Sequence, residues 1–196
     1  IYPREKLESM LIPRGDWRPF PTAHARDPWC ALPGTVREAH IVRGEKFLGS
    51  AWPALPATLF LQYARIGNRS LYERESFGRR SALCSLVIAE CMEGKSRFVD
   101  SIADGVWAIC EETYWGVPAH IGVQKAGSGL PDVDEPTVDL FAAETSALLA
   151  WTLYLLRPLL DGVSPLIAPR IEREVQLRIL TPLLVREDFG WMGFMR

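Results

Sequence analysis

A chain of 196 residues, 48% hydrophobic and 23% charged, with a formal net charge of −2, is sized for one globular domain with a substantial core. Its lysines and arginines are scattered rather than striped, which excludes the basic footprint that a nucleic-acid binder needs to hold phosphates. Four cysteines, Cys30, Cys84, Cys91 and Cys110, are too few and too irregular for a disulfide scaffold or a CxxC zinc site, and read as small core residues.

Residues 1–34 are dense in proline and weakly periodic, with Trp17, Phe20 and Trp29 dispersed among them. They predict an extended arm pinned by its aromatics to a helical body spanning 35–196. The chain opens on Ile1-Tyr2-Pro3 without a signal-like apolar stretch, so no targeting information is read from it.

Helical periodicity starts at Thr35 and runs to Leu48. A Trp-Pro-Ala-Leu-Pro break at 52–56 leads to a second helix, Ala57 to Ile66, stopped by Gly67-Asn68. A long helix follows from Ser70 to Met92, charged in its first half and apolar in its second, with Gly94 as its stop. Cys84 and Cys91 lie on it seven residues apart, an axial separation of about 10 Å that exceeds disulfide reach. A Cys91–Cys110 bridge between neighbouring helices is left open.

Ser96 reads as the N-cap of the next helix, in which Phe98, Val99, Ile102, Val106, Ile109 and Cys110 form one buried face. A glycine- and acid-rich loop of about twenty residues, Gly116 to Pro136, comes next, and loops of that length are commonly functional. Within it, Asp132, Asp134 and Glu135 hint at a metal loop, but Asp134 capping the following helix explains them more simply, so no metal or cofactor is expected.

Thr137 to Arg157 is apolar almost all round and stopped by Pro158 and Gly162. Its segment Leu140–Leu156 sits at the short end of the roughly 17–25 residues that span a bilayer and carries Glu144, so it reads as a buried core helix. Pro165 and Pro169 introduce a last helix, Arg170 to Val185, kinked by Pro182. The expected fold is therefore all-α, with short connections joining antiparallel helical hairpins into part of an (α/α) toroid of inner, fully buried helices and outer, half-wetted ones.

Alternation of helix direction gathers Gly67-Asn68-Arg69, residues 111–139 and Asp188-Phe189-Gly190-Trp191 at one rim. Gly94-Lys95-Ser96 and Pro158–Pro169 fall at the other, where Glu90 and Arg157 read as structural. The candidate binding residues of the first rim are Arg69, Glu111, Glu112, Tyr114, Trp115, His120, Asp139, Glu144 and Trp191. Carboxylates suit sugar hydroxyls, and aromatic faces suit sugar C–H patches. Glu111 and Glu112 lie at a helix C-terminus, which the macrodipole disfavours for anions. Function or pairing with Arg69 would each account for them. Trp115 is a sugar platform or a loop anchor, and His120 a hydrogen-bonding or proton-transfer group or neither. Glu144 requires a partner or a polar cavity.

Trp107-Ala-Ile-Cys-Glu-Glu112, Pro118-Ala-His120, Asp139-Leu-Phe-Ala-Ala-Glu144 and Trp191-Met-Gly193 together resemble the helical domain of the heparinase II/III-like polysaccharide lyases, from about residue 10 onward. The resemblance implies an N-terminal α/α toroid followed by a β-sandwich, and a periplasmic or secreted protein acting on an acidic, uronate-containing polysaccharide by β-elimination. In that family the catalytic groups follow the Trp-Met-Gly segment, so no catalytic residue is assigned here. A chain ending at Arg196 is expected to lack elimination activity by itself, and its long apolar helices to favour self-association. Two alternatives stand beside this. One is a glycoside hydrolase using two of Glu111, Glu112, Asp139 and Glu144 at a separation of roughly 6.5–9.5 Å; the other is a non-catalytic helical or carbohydrate-binding module.

Overall fold

The structure, a computed structural model, describes residues 2–13 and 15–189. The described residues are all-α, without a strand. In chain order they form α1 (Arg4–Met10), α2 (Arg26–Cys30), α3 (Gly34–Glu45), α4 (Ala57–Phe60), α5 (Gln62–Ile66), α6 (Ser70–Glu93) and α7 (Val99–Cys110). A 3-10 turn (Pro118–Val123) precedes α8 (Leu140–Val163), α9 (Ile167–Val175), a π turn (Gln176–Leu180) and α10 (Thr181–Val185). No helix among the described residues is long and apolar enough to cross a membrane.

Side-chain contacts set the helix directions. Arg37 near the start of α3 reaches the Met92 carbonyl at the end of α6 (3.5 Å), while a Cβ placed on Gly44 would fall 2.4 Å from that of Ala89. Only a glycine permits that close antiparallel packing. Helix α7 is antiparallel to α6: Glu90 accepts from the Ser96 and Phe98 amides at the turn, and Arg79 donates to the Ala108 carbonyl at the far end. Helix α8 runs parallel to α6, with Phe77 against Phe141 and Arg80 donating to Thr145 one turn on. Helix α9 returns along α8, where Arg157 meets Glu172. Leu83, Leu86, Ile102, Val106, Ile109, Leu149, Leu156 and Ile171 fill the space between these four helices.

Several local expectations are corrected. The second helix divides into α4 and α5. The arm carries α1 and α2, and its Trp17 and Phe20 rings lie against Trp151, while the Tyr154 hydroxyl donates to the Phe20 carbonyl. Ser96 is not an N-cap: it sits at φ 61°, and the Glu90 carboxylate caps α7 from the preceding helix. Asp139, not Asp134, caps α8, accepting from the Ala142 amide at 2.7 Å. Pro158 does not end α8. Its missing N–H and ring cost about 3 kcal/mol, and the buried Leu155, Leu156 and Leu160 on both sides hold the helix through it. The last helix is irregular ahead of Pro182: a π turn precedes it, and the ring falls in the first turn of α10, where its missing N–H costs least.

Helix α8 is not buried all round. Leu140, Glu144, Ala147, Ala150 and Trp151 form an exposed stripe, so the fully dry inner helix expected from its composition is absent. Cys30 and Cys84 are exposed rather than core residues. Cys91 and Cys110 are buried and unpaired, and burial pushes both thiols up to about 12, the range of inert core cysteines.

Candidate functional site

Helix α7 ends among arginines, which resolves the puzzle of its C-terminal acids. Its last carbonyls lack helical partners and receive them from neighbouring helices. Arg79 donates to Ala108 O (2.9 Å), Arg170 to Cys110 O (3.0 Å), and Arg178 to Cys110 O (3.1 Å) and Glu112 O. The Glu112 side chain is only 2% exposed and is held by Arg80 through both oxygens (2.7 and 2.6 Å) and by Arg79 at 3.0 Å. The structural partners of Glu112 are thus Arg79 and Arg80. Arg69, the residue before α6, instead pairs with Glu73 in the first turn of that helix.

Glu174 is the counterpart on α9, ringed by Arg170, Arg173 and Arg178 at 3.0, 2.8 and 2.7 Å. Burial pushes its carboxyl up, but the Arg178 hydrogen bond and the three positive charges outweigh burial and hold it below the ordinary 4.5. A carboxyl lowered in the fold stabilises the native state above its unfolded pKa, and that contribution is lost as pH falls through the folded value. Glu174→Gln is therefore expected to lower stability at neutral pH and to lose less than wild type on acidification below about 4.5. Urea unfolding at pH 7 and on the acid side of that value would show it; parallel loss in both proteins would contradict it.

The segment 111–114 emerges between two hollows at this end of the helices, of about 330 and 350 Å³. Exposed Glu111 borders both. Tyr114 separates them, packed edge-on against Phe60 in a cluster with Tyr72 and Ile121. Its buried hydroxyl has no hydrogen-bond partner. Burial, followed by the charge of Asp139, raises its pKa far above that of a free phenol, so it stays protonated. Gly116 makes the crowding possible: a Cβ there would lie 2.3 Å from the Tyr114 hydroxyl and 2.6 Å from Asp139 Oδ1.

Trp115 is not a sugar platform. It is 2% exposed, its indole N–H donates to Ile109 O (2.8 Å), and the Arg178 guanidinium covers its face at 4.9 Å. Its faces are closed to a ligand, and it anchors the exit from α7. Glu144 lies in a different hollow, between α6 and α8 beside Phe77 and Leu148. Asp139 serves its helix cap, the Val117 amide (3.2 Å) and His120 Nδ1 (2.8 Å). Glu111 and Glu112 thus border the same two hollows, whereas Glu144 and Asp139 each border a different one. Trp191 lies outside the described residues.

The long loop is ordered by a residue that periodicity does not single out. Gln124, 4% exposed, donates to the Gly127 and Leu130 carbonyls (2.8 and 2.9 Å) and accepts from the Asp132 amide (2.9 Å). Asp132 accepts from the Asp134 amide, and Arg186 ties Glu135 and the Pro136 carbonyl to the chain after α10. No group of three metal-ligating side chains occurs among the described residues.

The chain matches no protein-family model and no curated protein. The rim is consequently read from its own chemistry. Beyond the sequence-derived candidates it includes Arg79, Arg80, Arg170, Arg173, Arg178, Glu174 and Gln124. The signal for Arg79 was present in the spacing of Ser76, Arg79, Leu83 and Leu86, which places a guanidinium on the buried face of α6 and so demands an acid opposite.

Proposed function

We propose that this chain is the N-terminal helical domain of a polysaccharide lyase-like protein, and that its rim binds a uronic-acid-containing glycan. The antiparallel helical hairpins and the ordered motifs from Trp107 to Glu144 support a place in an α/α toroid. Elimination itself belongs to the whole protein of a periplasmic or secreted enzyme. The observation that carries the reading is the cleft around Glu111–Tyr114, where an unpartnered tyrosine hydroxyl and an exposed acid lie beside an arginine cluster.

Arg173 is the group suited to a uronate carboxylate. Its side chain is 66% exposed, and because Glu174 is also held by Arg170 and Arg178, Arg173 can turn to a ligand without stranding that buried acid. The apolar side chains Leu180, Leu184 and Val185, exposed at the end of the last helices, support association with further helices or with a second copy.

Calorimetric titration with oligouronates, and with a neutral maltooligosaccharide as control, tests the glycan reading. Acidic oligomers are expected to bind with salt-dependent affinity, and Arg173→Ala to weaken them by roughly three- to tenfold, the value of one charge-assisted contact at a solvated site. Equal binding of neutral and acidic sugars, or an affinity indifferent to Arg173, would refute it.

A further inference from the structure

We propose that the pocket beside His120 is a separate site for a small, mainly apolar alcohol or phenol, whose hydroxyl donates to His120 Nε2 and accepts from Thr137. The pocket, about 540 Å³, has apolar walls from Ala119, Val123, Val138, Leu140 and Phe189, and His120, Asp139 and Thr137 supply its polar groups. The proposal does not rest on the glycan reading: Thr137 borders both this pocket and the larger hollow beside Glu111–Tyr114, but none of the arginines of that cleft borders this pocket.

The hydrogen bonds assign the proton on the imidazole. Asp139 receives the Ala142 amide on Oδ1, and the Val117 amide and His120 Nδ1 on Oδ2. Two of these three partners are backbone N–H donors, so the carboxylate is the acceptor and the imidazole proton sits on Nδ1. In the neutral imidazole this leaves Nε2 with a lone pair. The ring plane is fixed by stacking on Phe141, 5.7 Å between centroids and 17° from parallel, while a third of the His120 side chain is exposed. Asp139 thus orients an acceptor, and the helix cap holds Asp139.

Thr137 supplies the second observation. It is 6% exposed, borders the same pocket, and its Oγ1 has no hydrogen-bond partner. A buried hydroxyl in that state is costly, and a ligand that satisfies it recovers the loss. A single ligand hydroxyl answers both groups: its hydrogen goes to Nε2, and its oxygen takes the Thr137 hydrogen. A carboxylate would set a lone pair against Nε2, and a hydrocarbon would satisfy neither group. The apolar walls favour a hydrocarbon body over a sugar.

Saturation-transfer NMR and calorimetry with phenol and cyclohexanol, against toluene, benzoate and glucose, provide the test. Phenol and cyclohexanol are expected to bind, with toluene, benzoate and glucose at least several-fold weaker. Phenol should move the His120 Nε2 nitrogen resonance. Thr137→Val and His120→Phe should each reduce phenol affinity roughly three- to tenfold, with Thr137→Val holding or raising the thermal unfolding temperature because it removes a buried hydroxyl that has no partner. Toluene binding as tightly as phenol, preference for glucose, an unmoved Nε2 resonance, or absence of phenol binding would each overturn the proposal. Failure of oligouronates to bind would affect the glycan reading alone.

Discussion

Replacing Glu112 with alanine is expected to destabilise the fold by about 3–5 kcal/mol, because it strands two buried guanidinium groups. The side chains of Arg79 and Arg80 are only 10% and 13% exposed, so neither can regain full hydration when the carboxylate is removed. Arg79 would keep the Pro53 and Ala108 carbonyls, and Arg80 would keep the Ser76 carbonyl and the Thr145 hydroxyl. Those are neutral acceptors, which satisfy geometry without cancelling charge. Against a domain stability of about 5–15 kcal/mol the loss is a large fraction. It should appear as a lowered urea midpoint with an unchanged slope. Glu112→Gln, which retains an acceptor of similar shape, should cost less than the alanine variant. A loss below about 1 kcal/mol for the alanine variant, the range of exposed pairs, would show that water reaches both arginines.

Trp115→Ala should be comparably damaging, about 3–5 kcal/mol, the range for emptying a buried aromatic site. The indole fills the core beneath the exit from α7, its N–H satisfies the Ile109 carbonyl, and its face supports Arg178, which in turn bonds the Glu112 and Cys110 carbonyls. Removing the ring therefore disturbs the packing and the cap of α7 together. Trp115→Phe restores most of the ring but leaves the Ile109 carbonyl without that donor, so it should fall between wild type and alanine. Thermal unfolding by circular dichroism checks the order. Because the ring is buried, Trp115→Phe should also leave oligouronate affinity intact wherever the protein is folded. A variant of native stability that no longer binds would return Trp115 to the ligand.

The helices were legible where spacing, glycine and burial agree. The stretch assigned to α7 carries a three-to-four apolar pattern, that assigned to α6 a long run free of proline, and Gly94 ends α6 in the left-handed conformation expected of a glycine stop. Boundaries were least legible where the partner lies elsewhere in the chain. Ser96 reads as a cap because serine commonly caps, yet it is Glu90, from the preceding helix, that takes the Ser96 and Phe98 amides just ahead of α7. Pro158 looked like a stop because its local penalty is large, yet leucines on either side bury enough surface to carry the helix past it.

At the rim, alternating helix direction did bring the start of α6, the segment after α7 and the chain after α10 to one end. The contacts of Phe60 with Tyr72 and Tyr114, and of Arg186 with Glu135, record this. The roles of individual residues were not legible, since a glutamate that binds a ligand and one that holds two arginines are the same letter. His120 and Asp139 stood among the candidates as separate residues. Their 2.8 Å contact follows from a 3-10 turn that folds back onto the cap of α8.

By itself, the amino-acid sequence determined an all-helical chain, the stretches that become its long helices, and the end of the molecule at which acids and aromatics gather. These follow from periodicity and chain reversal, which are local or nearly local properties. Only the tertiary structure decided that Trp115 is closed to solvent, that Glu112 neutralises Arg79 and Arg80, and that Asp139 orients His120 beside an unpartnered Thr137. Burial and pairing depend on which distant side chains meet, and the free energy of a charge or a hydroxyl is set by those neighbours rather than by its position in the chain.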